Sequence, residues 1–149
     1  MRVTTKGRYA LRAITNLAMA GSDRPIPIKK IAADEDISPE FLEQIFFKLK
    51  KSGIVGSVRG PGGGFVLDKD PAEISVKDIF DAVGEGLLIA PCTGEEDCER
   101  QDSCLVHDVW MEASEHIVGY FERLTLQQVV DRNQDKAIEP MLAGQEFDV

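Results

Sequence analysis

The chain has 149 residues, 43% of them apolar and 29% charged, which suits one globular domain, or one domain with an appendage. No run approaches the roughly 18 apolar residues of a membrane span. The opening Met1-Arg2-Val3-Thr4-Thr5-Lys6 lacks the apolar core of a signal peptide, so a cytoplasmic protein without a membrane partner is expected. The net charge of −9 argues against nucleic acid only as an average. Residues 1–70 carry 12 Lys/Arg against 8 Asp/Glu, a net of +4, whereas residues 71–149 carry 5 against 18, a net of −13. Phosphate attraction is local and screened within about 10 Å, so the N-terminal half is the expected contact half.

Thr4 and Thr5 are cap candidates for a first helix. Its apolar residues Tyr9, Leu11, Ala13, Ile14, Leu17, Ala18 and Ala20 recur near 3.6 until Gly21 stops it. A polar turn over residues 22–27 precedes a short second helix, Ile28 to Ala33. After the tight connection Glu35-Asp36-Ile37, Ser38 caps a third helix with Pro39 at its first position. That helix runs to about Ser52, burying Phe41, Leu42, Ile45, Phe46 and Leu49, and Gly53 ends it. Ile54 to Val58 and Phe65 to Leu67 read as two short strands joined by Arg59-Gly60-Pro61-Gly62-Gly63-Gly64. A fourth helix begins at Ser75, with Asp78 placed for a capping box. A cysteine loop covers roughly 84–103, a long helix runs from about Cys104 to Leu124, and Thr125 caps a shorter one to Arg132. Residues 133–149 are polar and acidic, and are expected to form a disordered tail.

Three helices followed by a β-hairpin give a mainly α fold, a winged helix-turn-helix over residues 1–83. In such a fold the second helix of the motif enters the major groove. Ser38, Glu40, Glu43 and Gln44 would then face base edges, with Lys48, Lys50 and Lys51 near phosphates. Taken singly, Glu40 and the lysines are equally compatible with an ordinary solvated face. The hairpin turn is more specific. Consecutive glycines are entropically costly, and close approach to a DNA groove by Arg59, Gly60, Pro61, Gly62 and Gly63 would justify them. A nucleotide phosphate loop fails, because a strand follows and no Gly-Lys-Ser/Thr is present.

All three cysteines lie between residues 92 and 104, in the spacing C-x5-C-x5-C-x2-H formed by Cys92, Cys98, Cys104 and His107. An odd count in a reducing compartment disfavours disulfides. Cys104 and His107 are expected on one face at a helix start, where the dipole favours a thiolate. Five-residue gaps are wide for structural zinc and suit a multi-iron cluster, but neither ferredoxin spacing is present. Iron–sulfur, zinc and unliganded thiols all stay open at this point. His116 has no partner at ligand spacing and reads as a plain helix residue.

These motifs together resemble the Rrf family of bacterial winged-helix regulators, and within it the iron–sulfur cluster regulators. The resemblance rests on Met1 to Ala10, on Leu42-Glu43-Gln44, on Ser57 to Phe65, and on the cysteine spacing with His107 after Cys104; it covers about residues 1–132. It implies a non-enzymatic homodimer that binds a double-stranded DNA operator as repressor or activator. It also implies one [2Fe–2S] cluster per subunit, donated by the cluster assembly machinery, whose occupancy selects between classes of DNA site, and it implicates Glu43 in that choice. Nitric-oxide-sensing relatives with a [4Fe–4S] cluster take an acidic ligand from near the N-terminus, whereas this chain has Arg8 there and keeps His107. Pro39-Glu40 departs from the small polar residue that such regulators tend to carry at the second helical position. Independently of the resemblance, residues 104–132 read as a dimerisation helix and a short following helix: Val106, Trp110, Ala113, Ile117, Tyr120 and Leu124 form a stripe on the long helix, able to pack on a partner helix or on its own domain.

Overall fold

The computed structural model describes residues 2–21, 24–94 and 98–135. Helix α1 (Thr5–Met19) starts where the Thr4 hydroxyl accepts the Gly7 amide at 3.3 Å. It buries Ala10, Ala13, Ile14 and Leu17 and packs on α2 (Ile28–Glu35), α3 (Pro39–Lys51) and α4 (Val76–Ala82). It is the central rod of the domain, because its apolar stripe is wide enough to meet several neighbours.

Helix α2 ends at Asp36, whose left-handed backbone (φ 53°) turns the chain into α3. The Ser38 hydroxyl then accepts the Phe41 amide at 3.1 Å, with Pro39 in the first turn. The α2–turn–α3 unit is therefore set by two local signals, both legible in the sequence.

Strands β1 (Val55–Val58) and β2 (Gly64–Leu67) pair antiparallel, with Val55 opposite Leu67 and Val58 opposite Gly64. The stretch before α2 is more than the expected polar turn: Ile26 bridges to Phe65 through two backbone hydrogen bonds of 2.9 and 2.8 Å. Phe65 in turn meets Phe46 edge-on at 4.9 Å, which seats the hairpin against α3.

Helix α4 carries the expected capping box between Ser75 and Asp78. Helix α5 (His107–Arg123) starts three residues later than expected, and Val106 before it provides no side-chain cap. Residues 126–135 are helical beyond it, capped by reciprocal bonds between Thr125 and Gln128. Residues 133–135 of the expected tail thus continue a helix, and residues 136–149 lie outside the described ones. Two backbone hydrogen bonds, Val76 N to Leu124 O at 2.9 Å and Leu126 N to Ile74 O at 2.8 Å, bring the chain back beside α4. Leu126 consequently enters the main core with α1 and α3. A smaller core joins Val76, Phe80, Leu87 and Leu124 to Val118 and Phe121 of α5.

Glu85 is the one charged side chain buried among the described residues. Its carboxylate accepts the Thr4 amide at 2.9 Å and the Thr4 hydroxyl. A Cβ on Gly7 would stand 2.6 Å from Glu85 Oε2, so glycine is what lets the carboxylate reach the helix start. Glu85→Ala is expected to lower unfolding free energy by about 2 kcal/mol, the scale of hydrogen bonds to a charged group. Urea denaturation measures this, and an unchanged midpoint would contradict it.

Candidate nucleic-acid interface and metal centre

Burial of Leu42, Ile45, Phe46 and Leu49 fixes the rotation of α3 about its axis. Ser38, Glu40, Glu43, Gln44, Lys48, Lys50 and Lys51 are thereby left exposed. The three lysines close the helix, where cations complement its dipole. Lys50 Nζ donates to Ser57 Oγ at 2.7 Å, drawing it toward the wing. Phe47, absent from both the expected core and the expected contact set, lies on the same outer face. Its signal was its register, three and four residues after Gln44 and Glu43 and off the buried stripe.

In the wing, Arg59, Gly60, Pro61 and Gly62 are exposed and Gly63 is half-buried. The glycines answer first to the hairpin itself. A Cβ on Gly63 would stand 2.3 Å from the Val58 carbonyl oxygen, and one on Gly64 would stand 2.3 Å from that of Ile26. The packing of the hairpin by itself therefore accounts for glycine at positions 63 and 64.

Cys92 lies half-buried on a 3-10 turn (Pro91–Thr93) that packs against α5. Cys98 is exposed, Cys104 half-buried, and all three thiols are free. His107, half-buried, opens α5. Because α5 begins at His107, Cys104 precedes the helix, and the two residues do not share the helical face expected of them. Among the described residues, no three His, Cys, Asp or Glu side chains converge on a point that would hold a metal ion. The donor set nonetheless fits an iron–sulfur cluster chemically: three free thiols and an imidazole, none fully buried, within one continuous stretch. His116, as expected of a plain helix residue, sits exposed 3.9 Å from Glu112.

Helix α5 turns Val118 and Phe121 inward, the latter edge-on to Phe80 at 5.2 Å. Of the expected stripe, Leu124 is buried in the small core, Ala113 and Ile117 are half-buried, and Val106, Trp110 and Tyr120 are exposed, as are Leu105 and Val109 beside them. An apolar row thus faces away from the protein's own core. No helix among the described residues is long and apolar enough to cross a membrane.

The family model described as Rrf2, an iron-dependent transcriptional regulator, matches residues 3–132. The HTH-type transcriptional regulator IscR of Serratia proteamaculans is 44% identical over 135 residues, covering 91% of this chain and 82% of that protein. IscR of Cronobacter sakazakii is 37% identical, covering 100% of this chain and 98% of that one. Among solved structures, T. potens IscR superposes with a TM-score of 0.75 at 29% identity, covering 91% of this chain and 90% of that chain. The global cysteine regulator CymR of B. subtilis also reaches 0.75, at 26% identity, covering 89% of this chain and 98% of that chain.

The unequal exposure of the thiols has a chemical consequence. Limited iodoacetamide treatment of metal-free protein is expected to alkylate Cys98 before Cys92 and Cys104, read by peptide mass spectrometry; equal rates at all three would contradict the described loop.

Proposed function

Because the chain belongs to the Rrf2 family of iron-dependent transcriptional regulators, and is on that footing a DNA-binding transcription regulator rather than an enzyme, we propose that it senses an iron–sulfur cluster and controls genes of cluster biogenesis. Cys92, Cys98, Cys104 and His107 hold the cluster, of the [2Fe–2S] type. The observation that carries this is the donor set itself: three free thiols followed by an imidazole at C-x5-C-x5-C-x2-H, in a chain 44% identical to a regulator named IscR.

When bound, the cluster supplies a redox-active inorganic centre that oxygen or iron scarcity can remove. The protein's part is positional. Cys92 sits on a turn already packed on α5, and His107 is the first residue of that helix, so ligation joins elements that are neighbours without it. An imidazole in place of a fourth thiolate competes with protons for its ligand role, which makes the attachment easier to lose. The protein works in the cytoplasm, receiving its cluster from the assembly machinery.

Ser38, Glu40, Glu43 and Gln44 read base edges in a double-stranded operator, Lys48 and Lys50 hold phosphates, and Arg59 with Gly60, Pro61, Gly62 and Gly63 follows the adjacent minor groove. The exposed row on α5 supports a homodimer, since apolar side chains at helical spacing gain free energy by covering one another. A dimer sets two reading helices about 34 Å apart, one per half-site.

Anaerobic purification, with absorption spectra and iron, sulfide and zinc analysis, tests the cluster. A coloured protein with about two irons per chain is expected. Cys98→Ala and His107→Ala should each lose colour with an unchanged far-UV spectrum. Colourless protein carrying stoichiometric zinc would sink the proposal.

The wing has a separate measurement. Arg59→Ala is expected to weaken operator binding and reduce the slope of log affinity against log salt by about one. Unchanged affinity and slope would remove the wing from the interface.

A further inference from the structure

Phe47 faces outward from α3 with 62% of its surface exposed. A single exposed apolar residue is common on protein surfaces and by itself means little; its place on the helix is what counts. Glu40, Gln44, Phe47 and Lys51 follow one another at four-, three- and four-residue steps, and Glu43, three after Glu40 and four before Phe47, completes a single stripe. Full burial of Phe46 and Leu49 on the opposite side prevents the helix from rolling Phe47 inward. Helical side chains lean toward the N-terminus, so the ring covers the turn that carries Glu43 and Gln44. Lys51 Nζ stands 5.4 Å from the ring centroid, placing a cation over the aromatic face.

Whatever Glu43 and Gln44 meet, Phe47 meets as well. If the stripe enters the major groove, the base edges there offer one apolar group, the C5 methyl of thymine. We propose that Phe47 is a specificity-determining residue that packs its ring on a thymine methyl next to the base contacted by Gln44 or Glu43, with Lys51 turned to the adjoining phosphate. This rests on the reading of α3 as the groove helix. Contact with the methyl removes apolar surface of both partners from water. A cytosine at that position would instead place its N4 amino group near an aromatic ring that cannot accept a good hydrogen bond from it. The helix thus combines polar readout with one apolar reader, and the position prefers thymine to cytosine.

The test uses the full-length protein and duplexes that it enriches from a random-sequence pool. Each thymine of the best-bound duplex is replaced in turn by deoxyuridine, which removes the methyl and leaves base pairing intact. The wild type is expected to lose about fourfold in affinity at one thymine of the bound site, the fold-change that burial of one methyl group represents. Phe47→Ala should bind the thymine and deoxyuridine forms equally, and Phe47→Leu should keep part of the difference. Insensitivity of the wild type at every thymine overturns the proposal without needing any variant to fold. A loss of the same size in Phe47→Ala overturns it too, and would assign the exposed ring to another surface. Failure of the wild type to enrich any duplex overturns instead the reading of α3 on which the proposal rests.

Discussion

A single buried carboxylate ties the two halves of this protein together. Glu85 lies out of water at the start of α1, where the Thr4 amide and hydroxyl satisfy its charge and the positive end of the helix dipole favours it. A buried charge without such partners would cost several kcal/mol, so the contact constrains both sides at once. It requires Gly7 in the first turn of α1, and it anchors the residue that opens the stretch leading to Cys92. The thiol loop therefore leaves from the same helix whose other faces support α2, α3 and α4.

The remaining architecture divides labour by face. Helix α3 spends one side on Leu42, Ile45, Phe46 and Leu49 and turns its polar and basic side outward. The wing is held beside it by Phe65 on Phe46 and by the Ile26 bridge, so helix and hairpin share one rigid base. Helix α5 directs Val118 and Phe121 to the small core and leaves Val106, Val109, Trp110 and Tyr120 uncovered. Charge follows the same division, with the basic excess in the half that carries α3 and the wing and the acidic excess in the half that carries the thiols.

How far the chain could be read in advance varied with the range of the interactions involved. Thr4, Ser38 with Pro39, and Ser75 with Asp78 were legible as helix starts, because a cap bonds to an amide two or three residues away. The start of α5 was misplaced because Val106 makes no side-chain cap, and the local signal ran three residues too early. Ile26 looked like part of a polar turn because its partner, Phe65, is 39 residues distant. The glycines of the wing were noticed for their cost, yet the atoms that demand two of them belong to Val58 and Ile26. The place of Phe47 is legible only through its register with Glu43 and Gln44, because its apolar character by itself points to the core.

The helix order, the hairpin and the four candidate ligands are legible in the chain alone, since each rests on periodicity, turn chemistry or spacing among near neighbours, and the charge split is a plain count. The burial of Glu85 on Thr4, the return of Leu126 to the core of the first three helices and the exposure of Val106, Val109, Trp110 and Tyr120 on α5 come from the packed fold. Those outcomes depend on how distant segments compete for the same buried surface. Burial is a property of the packed whole, so no window of sequence contains it.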